Sequence, residues 1–281
     1  MTSKNKIAIT ALILLILFCL KTNLRADEFK DSTNDSFVLS QPFFSNLEAY
    51  EPVYVLTGPK PKFNSKTQFS FKYRFFNPRA SIAQKYNWVK GIHFSFTQTT
   101  FWDLKSDSTP CEDILYKPEF FFISPSIWPE KNKNLNWFLQ VGYKHESNGK
   151  DKNDSRGLNI FYFKPVFHFY ESKKKFGLEI TPRFWGYFSK DKKNPDLEKY
   201  LGYFDLGIKT GQPNGIIFES HFWLAEKGPS LELNFSCPLN RYYLENLNLY
   251  FYLQYVNRLT EKLIFYKERT HSIRLGLAVV R

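Results

Sequence analysis

The chain has 281 residues, a net charge of +12 and 19% aromatic residues. This length is compatible with one large all-β domain or two smaller ones. No stretch of about 18 apolar residues follows the N-terminal region, which excludes a transmembrane helix in the mature chain. High aromatic content without such a helix is typical of a membrane β-barrel, whose apolar signal is spread over short strands. A soluble lipocalin-like barrel or a β-sandwich is the alternative.

The first 26 residues have the features of a Sec export signal. Lys4 and Lys6 supply a positive n-region, and residues 7–20 form an apolar core that is short for a membrane span. Cleavage is predicted after Ala26, and an uncleaved anchor is the alternative. An excess of basic over acidic residues is also common among nucleic-acid-binding proteins, but the export signal argues against nucleic acid as a partner. Lipid phosphate or lipopolysaccharide is the anion expected instead.

Residues 27–64 are predicted to form a short N-terminal periplasmic arm and lead-in, because much of this stretch is rich in charge, Ser and Asn and has little periodicity. Residues 65–281 are predicted to form about twelve antiparallel strands, separated by turn-rich breaks such as 190–196 and 210–215. Period-two alternation places successive side chains on opposite faces of each strand.

The two faces of these strands differ in chemistry. One face is apolar and includes Phe69, Phe71, Tyr73, Phe161, Phe163, Phe184 and Phe188. The other carries ionisable groups, namely Lys164, Glu179, Arg183, Glu219, His221, Glu232 and Arg274. A membrane barrel turns its apolar face to lipid and its polar face to the lumen. The pattern therefore predicts an all-β transmembrane antiparallel barrel in the bacterial outer membrane, although a solvated sheet face would look the same.

Three polar residues interrupt the predicted lipid-facing side. His145 and Ser147 end one apolar face, and Asn159 begins the next. Their apolar companions are Trp137, Leu139, Val141 and Tyr143 on the first strand and Phe161 and Phe163 on the second. A polar side chain that faces hydrocarbon costs on the order of 1 kcal/mol or more. Polar groups in such places are usually functional.

These three residues also fit the chemistry of a serine hydrolase. A serine hydroxyl is a weak nucleophile unless a histidine removes its proton, and the histidine needs a third group to fix its tautomer. Alternate residues of a strand share a face, so His145 can reach Ser147. A hairpin between the two strands can place Asn159 beside His145. The alternative is a common Ser-Asn-Gly turn with a histidine nearby by chance.

One compact signature spans the end of this strand and the start of the next. It is a GYxHxSNG strand exit, then Ser-Arg, then an asparagine fourteen residues after the histidine, carried by Gly142, Tyr143, His145, Ser147, Asn148, Gly149, Ser155, Arg156 and Asn159. Further motifs are FTQTTFW at 96–102, Ser-Thr-Pro at 108–110, YKPE at 116–119 and NPDLEKYLGY at 194–203. With these motifs, the sequence from about Tyr50 to the C-terminus resembles the outer-membrane phospholipase A family.

The resemblance implies a twelve-stranded barrel and calcium-dependent hydrolysis of glycerophospholipids at sn-1 and sn-2, with lysophospholipase activity. It implies a catalytic triad of His145, Ser147 and Asn159, and an oxyanion donor at the Gly149 amide. It also implies activation by homodimerisation. Membrane phospholipids and a second copy of the chain are then the expected partners.

Calcium ligands are likewise implied by the resemblance. They are the Lys150 carbonyl and Ser155 of one subunit, together with Ser108 of the partner subunit. Calcium takes oxygen ligands and tolerates waters, so such a shared site is chemically reasonable. The family position just before Asn194 can be an aspartate used for calcium. Here it is Lys193, which leaves a second calcium site open.

Gln98 is a candidate for the dimer interface. The strand 92–102 carries Gln98 and Thr100 on the predicted lipid-facing parity. A two-fold contact is self-complementary, and a polar pair inside lipid contributes roughly 0.5–2 kcal/mol. Gln98 is therefore predicted to pair with its counterpart across the axis. Proximity to the membrane interface is the alternative.

The sequence leaves undecided whether Cys111 and Cys237 form a disulfide.

Two other functions remain compatible with the sequence. One is a non-catalytic outer-membrane porin or structural barrel that retains the Ser-Asn-Gly turn. The other is a soluble exported lipid-binding barrel. Lipid hydrolysis with added calcium separates the enzyme from the porin, and solubility without detergent identifies the soluble barrel.

Overall fold

The computed structural model describes most of the chain beyond the predicted export signal. The described residues are 46–58, 64–104, 106–108, 110–127, 134–171, 175–240 and 248–281. The predicted signal peptide, 1–26, and much of the predicted arm lie outside the described residues. Within the described ranges, no helix is long and apolar enough to cross a membrane.

The described residues form a single antiparallel sheet with a few short helices. Its strands are β1 (Leu47–Glu48), β2 (Val53–Thr57), β3 (Asn64–Arg74), β4 (Ile92–Asp103), β5 (Cys111–Ile123), β6 (Leu135–Ser147), β7 (Gly157–Glu171), β8 (Phe176–Lys190), β9 (Phe204–Gly211), β10 (Ile217–Leu224), β11 (Ser230–Pro238), β12 (Tyr250–Leu259) and β13 (Arg269–Val280). The helices are α1 (Ser81–Lys85), α2 (Glu198–Leu201) and the 3-10 segments Asn87–Gly91 and Lys152–Asp154.

Strands β2–β13 close into a barrel of twelve strands in which neighbours in sequence are neighbours in space. The barrel closes between β13 and β2, where Leu275 pairs with Thr57 and Leu277 with Val55. Successive strands alternate in direction, so the connections that follow β4, β6, β8 and β12 all lie at one end. The prediction of an all-β antiparallel barrel of about twelve strands is confirmed.

The barrel begins earlier in the chain than the predicted boundary at residue 65. Strand β2 lies in the lead-in part of the predicted arm and lead-in, 27–64, yet it pairs with both β3 and β13. Ahead of it, the Tyr50 hydroxyl donates to Glu119 over 3.2 Å and accepts from Gln140 over 3.0 Å. The sequence did not reveal β2 as a barrel strand for two reasons. A strand of five residues is too short for a clear period-two pattern, and its partner β13 is close only in the folded protein.

Apolar side chains cover the outside of the barrel. Among the most exposed are Phe120, Phe161, Phe163, Phe184, Phe188, Phe218, Ile273, Leu275 and Leu277. Most of the aromatic face predicted from the alternation is part of this surface. An outward apolar face around a closed barrel is the arrangement that contacts lipid in a membrane.

Charged and polar side chains fill the inside of the barrel. Arg274 is fully buried and donates to both carboxylate oxygens of Glu261, over 2.7 and 3.1 Å. Lys66 lies 3.3 Å from the same carboxylate. A polar cavity of about 160 Å³ remains, and its lining includes the predicted lumen residues Lys164, Arg183, Glu219, His221 and Glu232. A buried charge is tolerated where it is paired and hydrogen-bonded, as here.

The two cysteines of the described barrel are both free. Cys111 is the first residue of β5, and Cys237 lies near the end of β11. Because β5 and β11 run in the same direction, the two thiols lie at opposite ends of the barrel. They do not form the disulfide that the sequence left undecided.

Candidate active site

Strands β6 and β7 form a hairpin that carries the predicted triad near its tip. In its register, His145 pairs with Asn159. Lys144 and Glu146 line the interior cavity and form an ion pair of 3.3 Å. Residues of the opposite parity on this strand, His145 and Ser147, therefore face outward. The structure brings His145 and Asn159 side by side on the outer surface of the barrel.

A hydrogen bond orients the imidazole of His145. Its Nδ1 lies 2.9 Å from Asn159 Oδ1. The Tyr143 hydroxyl donates to the same Oδ1, and Asn159 Nδ2 donates to Ser189 Oγ over 2.8 Å. An amide oxygen only accepts, so Nδ1 of the histidine carries the proton and Nε2 keeps a free lone pair. This is the tautomer that a general base requires.

Ser147 follows His145 by two residues on the same outward face of β6. Among the hydrogen bonds of the described residues, none joins the Ser147 hydroxyl to His145. The strand rise of 3.2–3.4 Å per residue puts the two Cα atoms roughly 7 Å apart, a gap that the two side chains can close. Catalytic hydrogen bonds are often long before a substrate binds and shorten in the complex.

Asn148 holds the loop 148–156 against the end of the hairpin. Its side chain is 3% exposed. Its Oδ1 accepts from the backbone N–H of Arg156 over 2.9 Å and from that of Lys150 over 3.4 Å. Its Nδ2 donates to the Asp154 carbonyl over 2.8 Å. One buried amide therefore bridges both sides of the loop.

Gly149, the predicted oxyanion donor, has a φ of +63°. A Cβ atom at this position would lie 2.6 Å from the ring of Tyr116, which pairs with Ser147 across β5 and β6. Both the backbone conformation and the close approach favour glycine. The residue is exposed, so a ligand can reach its backbone next to the serine.

Two of the predicted calcium ligands, Lys150 and Ser155, lie on this loop. The Ser155 hydroxyl donates to Asp191 Oδ2 over 2.7 Å. Hydrogen bonds from the Lys193 backbone N–H and from Ser155 hold the pKa of Asp191 below its usual range. Ser108 is exposed on the neighbouring loop between β4 and β5. In the part of the chain described, no three His, Cys, Asp or Glu side chains cluster to hold a metal ion.

Gln98 lies on β4, where it pairs with Phe69 of β3 and Tyr116 of β5. Its neighbours in sequence, Thr97 and Thr99, are buried on the lumen side, so Gln98 faces outward. The half-buried Gln98 side chain donates to Thr100 over 3.3 Å. The structure thus places Gln98 among apolar outward residues, and its pairing across a dimer axis stays a prediction.

Two contacts of the site have only weak signals in the sequence. Tyr143 belongs to the GYxHxSNG signature, and its shared parity with His145 could have identified its hydroxyl as a partner of Asn159. Ser189 lies on β8, 30 residues beyond Asn159, and simple alternation with Phe188 would point it into the lumen. Sequence reasoning missed it because an irregularity in β8 changes the direction of its side chain.

Together, fold and site define a class of protein. A closed twelve-stranded barrel with an apolar exterior and a polar lumen is a transmembrane barrel of the bacterial outer-membrane type. On its outer surface this barrel carries a hydrogen-bonded histidine and asparagine beside a serine. Such an arrangement is typical of serine hydrolases, placed where lipid would be the neighbouring molecule.

Comparison with known proteins identifies the family. The family model "Phospholipase A1" matches residues 37–279, and the chain belongs to this family. Phospholipase A1 of Escherichia coli is 25% identical over 193 residues, which cover 66% of this chain and 60% of the relative. Phospholipase A1 of Salmonella typhimurium is 29% identical over 119 residues, covering 41% of this chain and 38% of the relative. The chain thus spans 60% or less of these relatives.

Solved structures share the fold. Outer membrane phospholipase A of Escherichia coli superposes with a TM-score of 0.67 at 19% identity, covering 84% of this chain and 98% of that one. A Salmonella typhi outer membrane phospholipase dimer with bound calcium gives a TM-score of 0.68 at 19% identity, covering 86% and 94%. At this identity the likeness establishes the barrel architecture.

Proposed function

We propose that this chain hydrolyses the acyl ester bonds of membrane glycerophospholipids and lysophospholipids. The observation that carries the proposal is the His145–Asn159 hydrogen bond on the lipid-facing surface, directly beside Ser147. Membership of the phospholipase A1 family supports it. A structure of the Escherichia coli enzyme with an active-site asparagine changed to alanine shows that an asparagine belongs to that active site, which supports the role of Asn159.

The chemistry follows from the orientation of these groups. Ser147 Oγ attacks the ester carbonyl while His145 Nε2 takes its proton, and the imidazolium formed is stabilised by Asn159 Oδ1. The negative charge on the carbonyl oxygen is met by the Gly149 N–H. His145 then returns the proton to the departing alkoxide of the lysophospholipid. A water molecule, deprotonated by His145, releases the fatty acid from Ser147 and regenerates the hydroxyl.

The residues near this centre fit a calcium ion. The Lys150 carbonyl and the Ser155 hydroxyl are possible oxygen ligands on one loop. The Asp191 carboxylate accepts a hydrogen bond from Ser155. Ser108 of the partner subunit would supply a third oxygen. Calcium would add positive charge beside the ester oxygen. The calcium-bound Salmonella typhi dimer supports both the ion and the homodimer.

The outward site explains how substrate arrives. His145 and Ser147 face the apolar exterior, so a phospholipid can reach them by diffusing in the membrane plane. The lumen is a different environment, because it contains paired charges such as Arg274 and Glu261 around a polar cavity of about 160 Å³. This packed interior argues against the alternative of an open porin.

Release of fatty acid from mixed phospholipid–detergent micelles tests the proposal. We expect calcium-dependent release by the purified barrel, abolished by excess chelator. Ser147→Ala and His145→Ala should each lower the rate by several orders of magnitude, because the nucleophile and its base act as a unit. Retained folding is checked by the shift in gel mobility on heating. Wild-type turnover by folded Ser147→Ala protein would disprove the triad.

A further inference from the structure

Strand β8 contains an irregularity directly opposite the site. Asn159 pairs with Ser189, but the next residue of β7, Ile160, pairs with Tyr187. Phe188 is therefore an extra residue in β8, as in a β-bulge. Bulges occur next to active sites, where they change the direction of a side chain.

The bulge decides which face Ser189 occupies. Phe184 and Phe188 are 48% and 71% exposed on the outside of the barrel. In a regular strand the residue after Phe188 would point into the lumen. Ser189 is instead exposed and within hydrogen-bonding distance of the outward Asn159. The irregularity thus places a second hydroxyl beside the triad.

The contacts of the Asn159 carboxamide favour one orientation. Its Nδ2 donates to Ser189 Oγ over 2.8 Å, while its Oδ1 accepts from Tyr143 and faces His145 Nδ1. A phenol donates more readily than it accepts, and an aliphatic hydroxyl accepts readily. Turned by 180°, the amide would present N–H groups to Tyr143 and His145. That orientation would favour the histidine tautomer with the proton on Nε2, which cannot accept a proton from Ser147.

We propose that Ser189 is a positioning residue that holds the Asn159 carboxamide with its oxygen towards His145. The proposal rests on the hydrolase function proposed above and adds to it. Loss of the Ser189 hydroxyl removes the acceptor to which Nδ2 donates over 2.8 Å, and with it the hydrogen bond that fixes the orientation of the amide. The carboxamide then turns, and the population of enzyme with a competent base falls.

The first test is a set of single variants assayed on mixed micelles. Ser189→Ala should lower kcat about tenfold with little change in KM, the effect of losing one oriented hydrogen bond. Ser189→Thr retains a hydroxyl and should keep most of the activity. Ser220→Ala, on the outward face of β10, is the matched control and should be unchanged. Full kcat in folded Ser189→Ala protein would overturn the proposal.

A second test separates orientation from general packing. A carboxylate presents an oxygen to His145 whichever way it turns. In an Asn159→Asp background, Ser189→Ala should therefore change kcat less than twofold relative to Asn159→Asp alone, compared with about tenfold in the native background. An equal loss in both backgrounds would assign Ser189 a packing role. If the native chain showed no Ser147-dependent hydrolysis, the proposed function itself would fail instead.

Discussion

At the scale of single residues, the site depends on polar side chains that face an apolar surrounding. Asn159 is the centre of a hydrogen-bonded cluster on the outside of the barrel, in which its Oδ1 accepts from Tyr143 and His145 and its Nδ2 donates to Ser189. Each member satisfies a neighbour that lipid cannot satisfy. In the proposed mechanism, Ser147 on one side of His145 is the nucleophile and Asn159 on the other side orients the imidazole.

Asn159→Ala should reduce activity less than Ser147→Ala or His145→Ala. In the proposed mechanism, Asn159 orients the histidine and takes no part in bond formation, so some molecules should still reach the competent arrangement without it. The measurement is kcat on mixed micelles, with folding checked by gel mobility on heating. A folded Asn159→Ala protein as inactive as Ser147→Ala would contradict this division of roles.

At the scale of elements, the hairpin β6–β7 and the connections beside it build the site. The strands fix the parity of His145 and Asn159, and the loop 148–156 supplies Gly149 and the proposed calcium donors. Asn148 ties the two ends of this loop together. Strand β8 contributes through its bulge, and β4 presents Gln98 on the same outer surface.

Asn148→Ala should loosen the loop while the barrel stays folded. The substitution removes the side-chain partner of the Arg156 N–H and of the Asp154 carbonyl, two hydrogen bonds that contribute about 0.5–1.5 kcal/mol each. We expect a higher calcium requirement and a lower kcat. Asp151→Ala, an exposed change in the same loop, is the control. An unchanged calcium titration for Asn148→Ala would refute this role of the loop.

A cysteine substitution on β4 tests the proposed dimer. Gln98→Cys should cross-link two subunits in detergent when calcium and a substrate analogue are present, because a residue at a two-fold axis meets its own copy. Ser220→Cys is the control, since it faces outward on β10, half-way around the barrel from β4. Absence of cross-linking in a fully active preparation would exclude Gln98 from the axis.

At the scale of the whole molecule, the barrel reverses the distribution of side chains that is usual in a soluble protein. Apolar side chains such as Phe161 and Ile273 cover its exterior, while Arg274, Glu261 and Lys66 pair inside. On the inside of the barrel, these paired charges join β13, β3 and the connection after β12.

Arg274→Ala should destabilise the barrel by about 3–5 kcal/mol, because it leaves the buried Glu261 carboxylate without its main partner. Urea unfolding in detergent micelles measures the change. Lys267→Ala is the control, because its pair with Asp196 is at the surface, with the lysine side chain 54% exposed, and should contribute about 0–1 kcal/mol. Equal unfolding midpoints for the two variants would contradict the structural role of the interior network.

The amino-acid sequence by itself determined the barrel and most of its site. Period-two alternation identifies the lipid-facing and lumen-facing sets, because a strand places successive side chains on opposite faces. The same parity placed His145, Ser147 and Asn159 together on the outer face. Because all three residues belong to one hairpin, the local sequence was enough to predict that they are neighbours.

Only the tertiary structure decided the features that depend on distant partners or broken periodicity. Strand β2 joins the barrel because β13, more than 200 residues later, closes on it. Ser189 faces Asn159 because a bulge interrupts the alternation in β8. Asp191 meets Ser155 because the connection after β8 lies at the same end as the β6–β7 loop. Periodicity reports local direction, whereas long-range pairing and irregular register arise only when the sheet closes.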